Sequence, residues 1–532
     1  MSDAPDTLPA RLTHLSRAYA ERPAVIFHDR TLTFAEFDGR ARALTAGLAS
    51  LGVSKGTRVG LLMPNRPDWL GCAFAIWRLG AILVPINTLF RAPELACALD
   101  HADVTVLIAV SRFLNHDYRA MLLDLCPELH HSAAPLRSAA LPCLRHVVFQ
   151  GDEPPPAATP WSTLCAHDAG DVTVWNAAAA ARVVPTDDAA IFFTSGSTAT
   201  PKGVVHTHRS MLHAADNVGD RLGLTADDRT WGYLPFFFNG GLVGVALATL
   251  SRGAAVLLQE AFDAEQTLRL MERHRCTTIF AWPHQAEALV QHPTFDRGKL
   301  AIHKGVGANT NWAPRLFPAN HQAVGTWGMT ETGPLASSTR FDDPLEERAG
   351  AHGRPMPGLE FRIVAPDTGD PLPAEREGEL TVRGSSVMRT YYKVPPSECF
   401  DRDGFFHTGD CARIDAAGLL HFIGRIKDVI KTAGVNVAAA EVEAVLMAHA
   451  GIKVAHVVAV AHPTRGENVA AFVVPRDPGV TEADVLEHCR AQLAAYKVPR
   501  HVFFVSEREL PTLGSGKVDR QALRALANQK TR

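Results

Sequence analysis

Over roughly the first four hundred residues, short apolar runs of strand character alternate with stretches of helical periodicity, and this alternation restricts the fold most. "TRVGLLM" (57–63) leads into a helical stretch from Trp69 to Leu79, and "AILVPI" follows. "VTVLIAV" (104–110) and "AAVLL" (254–258) are further candidates for buried strands. Met211, Ala215, Val218 and Leu222 share one helical face. Strands separated by helices point to largely parallel sheets in an α/β domain.

The pattern changes toward the C-terminus. From "REGELTVRGSSVM" (376–388) onward, short strands and glycine-rich turns predict a small β-rich part. Beyond it, "AAAEVEAVLMAH" and "EADVLEHCRAQLAAY" read as helices, the second N-capped by Thr481, and "HVVAVAH" and "VAAFVV" as strands. The glycine-punctuated, charged stretch "GRIKDVIKTAGVNV" (424–437) suits a hinge better than a core. The expected organisation is α/β: a large N-terminal domain (1–424) of α/β subdomains plus a small β-rich part, then a small mobile α+β domain (425–532). "GDEPPPAATP" (151–160) and "WNAAAAARVVPTDD" (175–188) read as surface connections, and no repeat of 20–50 residues is present.

Charge and cysteine usage exclude several function classes. With 53 Lys and Arg against 56 Asp and Glu, the net charge is −3, and no long basic run is present. Nucleic acid is therefore not an expected partner. None of the nine cysteines forms a CxxC pair, so neither a zinc knuckle nor a disulfide framework is indicated. The start has no signal-type apolar core, and Gly240 to Leu250 is too short to span a bilayer. The terminal "NQKTR" carries no peroxisomal tripeptide. A soluble, reduced, cytoplasmic protein without a membrane span is expected.

The chemistry concentrates in a few loops. "FFTSGSTATPKGV" (192–204) is a strand end running into small and hydroxyl residues and closing on Lys202. Backbone N–H groups, hydroxyls and one mobile cation are what a polyphosphate needs. The loop is not a P-loop, because Pro201 and Gly203 flank the lysine where that motif requires Gly and Ser or Thr. Read alone, it serves equally as a plain surface turn. Four further segments follow in order: "GTWGMTETG" (325–333), "GFFHTGD" (404–410), "GRIKDVIKTAGVNV" (424–437) and "LPTLGSGKVDR" (510–520).

Together these five segments resemble the acyl-adenylate-forming superfamily of acyl-CoA synthetases, luciferases and peptide-synthetase adenylation domains. The resemblance covers nearly the whole chain and is strongest from about 190 to 520. It implies an AMP-forming acid:CoA ligase using ATP, Mg²⁺ and coenzyme A: a carboxylate attacks the α-phosphate, pyrophosphate leaves, and a thiol takes the acyl group. By matching positions, Thr194, Ser195, Gly196, Ser197, Thr198 and Lys202 are expected to hold the β- and γ-phosphates. Trp327 stands where an aromatic residue stacks on adenine, Thr330 is expected at phosphate, and Glu331 is expected to hold Mg²⁺ as a hard oxygen ligand. Asp410 is expected to accept from both ribose hydroxyls, with Arg425 also on the nucleotide. Lys517 is expected to bridge the carboxylate and the α-phosphate, where a cation stabilises charge developing in the transition state. Lys427 falls at the superfamily's hinge, and Gly434 is expected to line the pantetheine tunnel.

The resemblance also bounds the acid. Phe236, Phe237, Phe238 and Trp282 are expected as apolar walls, with Gly240, Gly241, Gly307 and Gly328 supplying room. Acetyl-type enzymes resembling this one carry tryptophan at the position of Gly328, so glycine favours a larger acyl group. In the segments expected to line the acyl site (236–241, 282–285, 305–308 and 328–335) there is no arginine, and Lys304, at the edge of one of them, is the only lysine, which disfavours a dicarboxylic acid. His284 and Gln285 face two readings, a polar contact to substrate or a capped helix start after Pro283. Three departures stand out: Ala199 for glycine, Thr512 and Leu513 for a basic residue and threonine, and Phe238 for histidine. The expected substrate is a medium-chain, aryl or alicyclic acid. Transfer to a carrier protein or an amine, a non-catalytic nucleotide- or acyl-binding paralogue, and a homodimer all remain compatible with the sequence.

Overall fold

The computed structural model describes residues 5–131, 135–151, 154–166, 178–194, 202–308, 310, 312–319, 321–426, 429–432, 435–462, 466–493, 497–513 and 517–531. By its internal contacts the chain forms two units: residues 1–360 with 382–406, and residues 361–381 with 407–532.

Two large sheets dominate the first unit and hold the expected strands; a three-stranded sheet of Thr326–Met329, Gly333–Ser338 and Arg354–Pro355 and a small hairpin of Arg112–Phe113 with His116–Asp117 accompany them. One sheet runs, edge to edge, Thr390–Tyr391, Lys202–Thr207, Asp188–Thr194, Ile82–Pro85, Arg58–Leu62, Val106–Val110, His146–Gln150 and Thr159–Pro160. The second runs Gln322–Val324, Lys304–Val306, Thr278–Ile279, Arg229–Trp231, Ala255–Leu258, Pro23–Phe27 and Arg30–Thr33. Both are parallel through their centres. The antiparallel exceptions are the hairpin Asp188–Thr194/Lys202–Thr207, the added strand Thr390–Tyr391, and the edge strand Arg30–Thr33. The central strand Val106–Val110 is buried at every residue, as a parallel strand covered on both faces requires.

Local signals fix the helix starts. Thr33 and Glu36 form a reciprocal capping box before Phe34–Ser50, and Thr207 accepts from Ser210 N–H before His208–Arg221. Met211, Ala215 and Val218 are buried on that second helix, as their spacing predicts. The apolar run at 240 forms a π-helix, Gly240–Leu247, continuing as Ala248–Leu250 within the core. Among the described residues no helix is long and apolar enough to cross a membrane.

Leu359–Val364, Gly378–Gly384, Phe406–Ile414 and Leu420–Arg425 make a four-stranded sheet that lies mostly in the second unit. A five-stranded sheet follows, built on the long pair Ile452–His462 and Gly466–Pro475. Strand alternation gives it two cores. Val457, Ala471 and Val473 pack with Val442 and Leu446 of helix Ala439–Ala448 and Val485 and Cys489 of helix Glu482–Gln492. Val458, Ala470 and Phe472 face the other way, onto Leu523 and Ala527 of helix Arg520–Lys530. Thr481 caps its helix as expected, accepting from Asp484 N–H.

Candidate active site

The phosphate-loop candidate is the tip of a hairpin. Thr194 and Lys202 are register partners where its two strands end. Ser195, Gly196, Ser197, Thr198 and Ala199 lie outside the described residues, so the structure places only the loop's two ends. Gly203 is demanded by packing, since a Cβ there would come 2.8 Å from the Ile191 side chain.

Lys202, Val204 and His206 alternate onto one face of their strand, and the neighbouring strand sets Tyr391 opposite Val204. The Lys202 ammonium lies 4.7 Å from the centroid of the Tyr391 ring. The Tyr391 hydroxyl donates to Glu331 Oε1 at 2.9 Å. His206 Nε2 donates to the carbonyl of Thr330 at 2.7 Å, and Asn239 Nδ2 donates to the same carbonyl at 3.0 Å. A carbonyl only accepts, so the proton of His206 sits on Nε2. Burial holds that imidazole neutral by lowering its pKa to about 4.

These donors converge on a 3₁₀ turn, Thr330–Thr332, which follows strand Thr326–Met329. The turn is held from its other side by Met388 N–H on the Glu331 carbonyl (2.7 Å) and Ser386 Oγ on the Thr332 carbonyl (2.9 Å). Trp327 is 7% exposed and Glu331 6%, so the carboxylate is largely withdrawn from water. Among the described residues there is no group of three or more His, Cys, Asp or Glu able to hold an ion by itself. One oriented carboxylate of this kind fits Mg²⁺ arriving with a polyphosphate, since that ion keeps waters and phosphate oxygens and takes one or two protein carboxylates.

The acyl-site expectations fare unequally. Phe238 and Trp282 are both half-buried, with ring centroids 5.9 Å apart, and Phe237 lies 4.5 Å from Phe238. Phe236 is instead a core residue: it has no exposed surface and packs on Trp69 at 5.1 Å, with its N–H held by Asn65. Gly241 supplies no room, because a Cβ there would meet the carbonyl oxygens of Leu234 and Pro235 at 2.3 and 2.4 Å. Gly240 is open, its nearest neighbour lying at 3.8 Å. At Gly307, φ is +97° and a Cβ would lie 2.8 Å from the Trp312 ring. At Gly328 a Cβ would come 2.4 Å from the Pro334 carbonyl oxygen, so the hairpin itself requires glycine, whatever the acyl group. Gln285 caps the helix Pro283–Gln291, accepting from Trp282 N–H and donating to the Tyr233 carbonyl, while His284 beside it is exposed.

Lys304 is consumed internally. Its ammonium lies 2.8 Å from Asp228 Oδ2, donates to the Gly223 carbonyl, and is buried. Burial opposes the charge of Asp228, but hydrogen bonds from Lys304, Thr225 N–H and Thr277 hold its carboxyl below the usual range.

The second unit carries the remaining candidates. Asp410, 3% exposed, is the register partner of Arg425 across an antiparallel pair, and Arg425 Nε lies 2.9 Å from Asp410 Oδ1. Arg425 also donates to the Thr408 carbonyl at 2.9 Å. Lys517 closes a second hairpin tip, with Thr512 bridged to Val518 and Leu513 N–H bonded to the Lys517 carbonyl at 2.7 Å. Desolvation, followed by the Arg425 charge, lowers its pKa from the usual lysine value. Arg520 is engaged elsewhere, on Glu443 and the Val457 carbonyl. Lys427 and Gly434 lie outside the described residues.

His206, Asn239 and Tyr391 belong to none of the sequence motifs. His206 had a signal, its period-two spacing from Lys202 on a strand. Asn239 and Tyr391 had none, because their partners are 91 and 60 residues away.

Comparison with known proteins identifies the family of the chain. The family described as AMP-binding enzyme matches residues 12–392, and its C-terminal domain matches residues 441–517. A 3-[(3aS,4S,7aS)-7a-methyl-1,5-dioxo-octahydro-1H-inden-4-yl]propanoyl:CoA ligase of Mycobacterium tuberculosis is 35% identical over 98% of this chain and 99% of its own. A feruloyl-CoA synthase of an Amycolatopsis species is 32% identical over 92% of both. Among solved structures, the anthranilate CoA ligase AuaEII in complex with anthranoyl-AMP superposes with a TM-score of 0.84 over the whole of both chains at 26% identity. ATP-bound MatB from Rhodopseudomonas palustris gives 0.80 over 99% of this chain and 100% of its own at 25% identity. The chain therefore belongs to the AMP-binding enzyme family and is an ATP-dependent acid:CoA ligase of the acyl-CoA synthetase kind.

Proposed function

We propose that this ligase activates a carboxylic acid with an uncharged, apolar tail of medium-chain, aryl or alicyclic type. The observation that carries the reading is the Lys304–Asp228 pair: the one lysine at the edge of the expected acyl segments is already paired internally and is not available to a second carboxylate. Phe238 and Trp282, both half-buried and with rings 5.9 Å apart, supply aromatic surface, and Gly240 is open. The named relatives, a bicyclic propanoyl:CoA ligase and a feruloyl-CoA synthase, support the same class.

In the proposed mechanism the acid's carboxylate attacks the α-phosphorus of ATP, the α–β bridging bond breaks, and pyrophosphate leaves. Lys202, with Thr194 and residues 195–198, grips the β- and γ-phosphates, and Thr330 contacts phosphate. Glu331 holds Mg²⁺, which offsets charge on the phosphate oxygens. Trp327 covers adenine, Asp410 binds the ribose hydroxyls, and Arg425 assists at the nucleotide. Lys517 steadies the charge that builds between carboxylate and α-phosphate. Residues 425–532 then pivot about Lys427, and the thiol of coenzyme A, entering past Gly434, displaces AMP from the acyl carbon. A pyrophosphate-release assay over an acid panel, with and without coenzyme A, tests the reading. Turnover is expected with aryl, alicyclic and medium-chain monoacids and only with coenzyme A present; a dicarboxylate as the best substrate overturns it.

A further inference from the structure

We propose that Tyr391 is a positioning residue that couples the phosphate-loop lysine to the metal-binding carboxylate, through its ring on Lys202 and its hydroxyl on Glu331. The inference rests on the assignment of Glu331 to Mg²⁺ and of Lys202 to the phosphates made above.

The coupling follows from strand geometry. Tyr391 reaches this face because Thr390–Tyr391 adds antiparallel to the outer edge of the hairpin, with Val204 as its register partner. Its neighbours two residues along the same face of the adjacent strand are Lys202 on one side and His206 on the other. Backbone bonds fix the register, with Arg389 N–H on the Val205 carbonyl at 2.8 Å and Tyr392 N–H on the Gly203 carbonyl at 2.6 Å. The ring is therefore held by the sheet rather than by its own rotamer alone. From that fixed base the hydroxyl sets one oxygen of Glu331 at 2.9 Å, and the ring face seats the ammonium of Lys202 at 4.7 Å from its centroid.

Each contact does a different job. An ionised carboxylate can turn about its last torsion and present either oxygen. A phenol donating to Oε1 stops that rotation and leaves the carboxylate in one orientation for a cation, without adding a charge of its own. A lysine has a long flexible stem, and an aromatic face attracts its ammonium without forming an ion pair with it, so Lys202 is seated near the loop base. A carboxylate partner in the same place would bind the ammonium more tightly and compete with the phosphates.

The test measures binding, with a nucleotide that cannot react. α,β-Methylene-ATP blocks cleavage between the α- and β-phosphates, and calorimetry with and without Mg²⁺ gives the gain in affinity that the metal confers. Tyr391→Phe keeps the ring and removes the hydroxyl. It should cut the metal-dependent gain by about tenfold and leave the metal-free affinity unchanged. Tyr391→Leu should lose the same gain and weaken metal-free binding by a further two- to fivefold or so, since the ammonium loses its seat. That second loss should vanish in a Lys202→Ala background. Glu331→Gln separates the two levels of the argument. Loss of the metal-dependent gain in Glu331→Gln but not in Tyr391→Phe overturns the role of Tyr391 and leaves the metal assignment standing. Retention of the gain in Glu331→Gln overturns the metal assignment and this inference with it. Persistence of the Tyr391→Leu penalty without Lys202 overturns the ring contact. Near-ultraviolet circular dichroism of each variant, unchanged from the parent chain, confines the effects to the site.

Discussion

Replacing His206 by glutamine should remove a defined part of the protein's sensitivity to acid. His206 is 1% exposed, and burial lowers its pKa from 6.5 to about 4, so it stays neutral while donating to the Thr330 carbonyl. In the unfolded chain the same imidazole takes up a proton below about pH 6.5. Between 6.5 and about 4 the unfolded state therefore binds more protons than the folded one, and stability falls as pH falls through that window. At pH 5 the gap from the unfolded value is about 1.5 units at roughly 1.4 kcal/mol each, or ~2 kcal/mol. Set against a total of roughly 5–15 kcal/mol, one such group is a large fraction. His208, fully buried with a pKa of about 4, titrates in the same window, so a difference between variants is the informative quantity. Urea unfolding followed by tryptophan fluorescence at pH 7.5 and pH 5.0 supplies it. Glutamine can still donate to Thr330 but does not titrate, so His206→Gln should lose about 2 kcal/mol less than the parent between the two pH values. An equal loss in both proteins would mean that His206 is protonated in the fold near its ordinary value, and the tautomer argument for the Thr330 turn would fail.

Three further outcomes are expected. Lys517→Ala should slow adenylation by a hundredfold or more, about 3 kcal/mol, while sparing thioester formation from presynthesised acyl-adenylate; equal loss in both half-reactions would count against separate orientations. Asp410→Ala should weaken ATP binding well over tenfold with the acid's affinity little changed, because each hydrogen bond to the charged acceptor is worth roughly 1.5–3 kcal/mol; normal ATP titration would reject the ribose assignment. Lys427→Pro and Gly434→Leu should each let one turnover release pyrophosphate while blocking the thioester, so that acyl-adenylate accumulates; free turnover in Gly434→Leu alone would show that pantetheine does not pass that glycine.

The sequence by itself determined the α/β architecture, the parallel sheets and the helix cap at Thr481, and it located the loops to which phosphate chemistry is assigned by resemblance. These are local properties: periodicity repeats within a few residues, and Lys202, Glu331, Asp410 and Lys517 sit in short motifs whose neighbours are adjacent in the chain. Glycine marks close approach, but the sequence does not say to what. Gly241 and Gly328 read as room for substrate, whereas the fold fills the space at both with backbone carbonyls. Phe236 read as a pocket wall, but the packing partner that takes it into the core, Trp69, lies 167 residues earlier. Lys304 read as a cation near the acyl site until the fold supplied Asp228, 76 residues away, to neutralise it. The tertiary structure alone decided how Tyr391, His206 and Asn239 meet at the Thr330–Glu331 turn. That meeting depends on an antiparallel strand added at a sheet edge, and a register fixed by hydrogen bonds between residues nearly two hundred apart leaves no periodic trace in the chain.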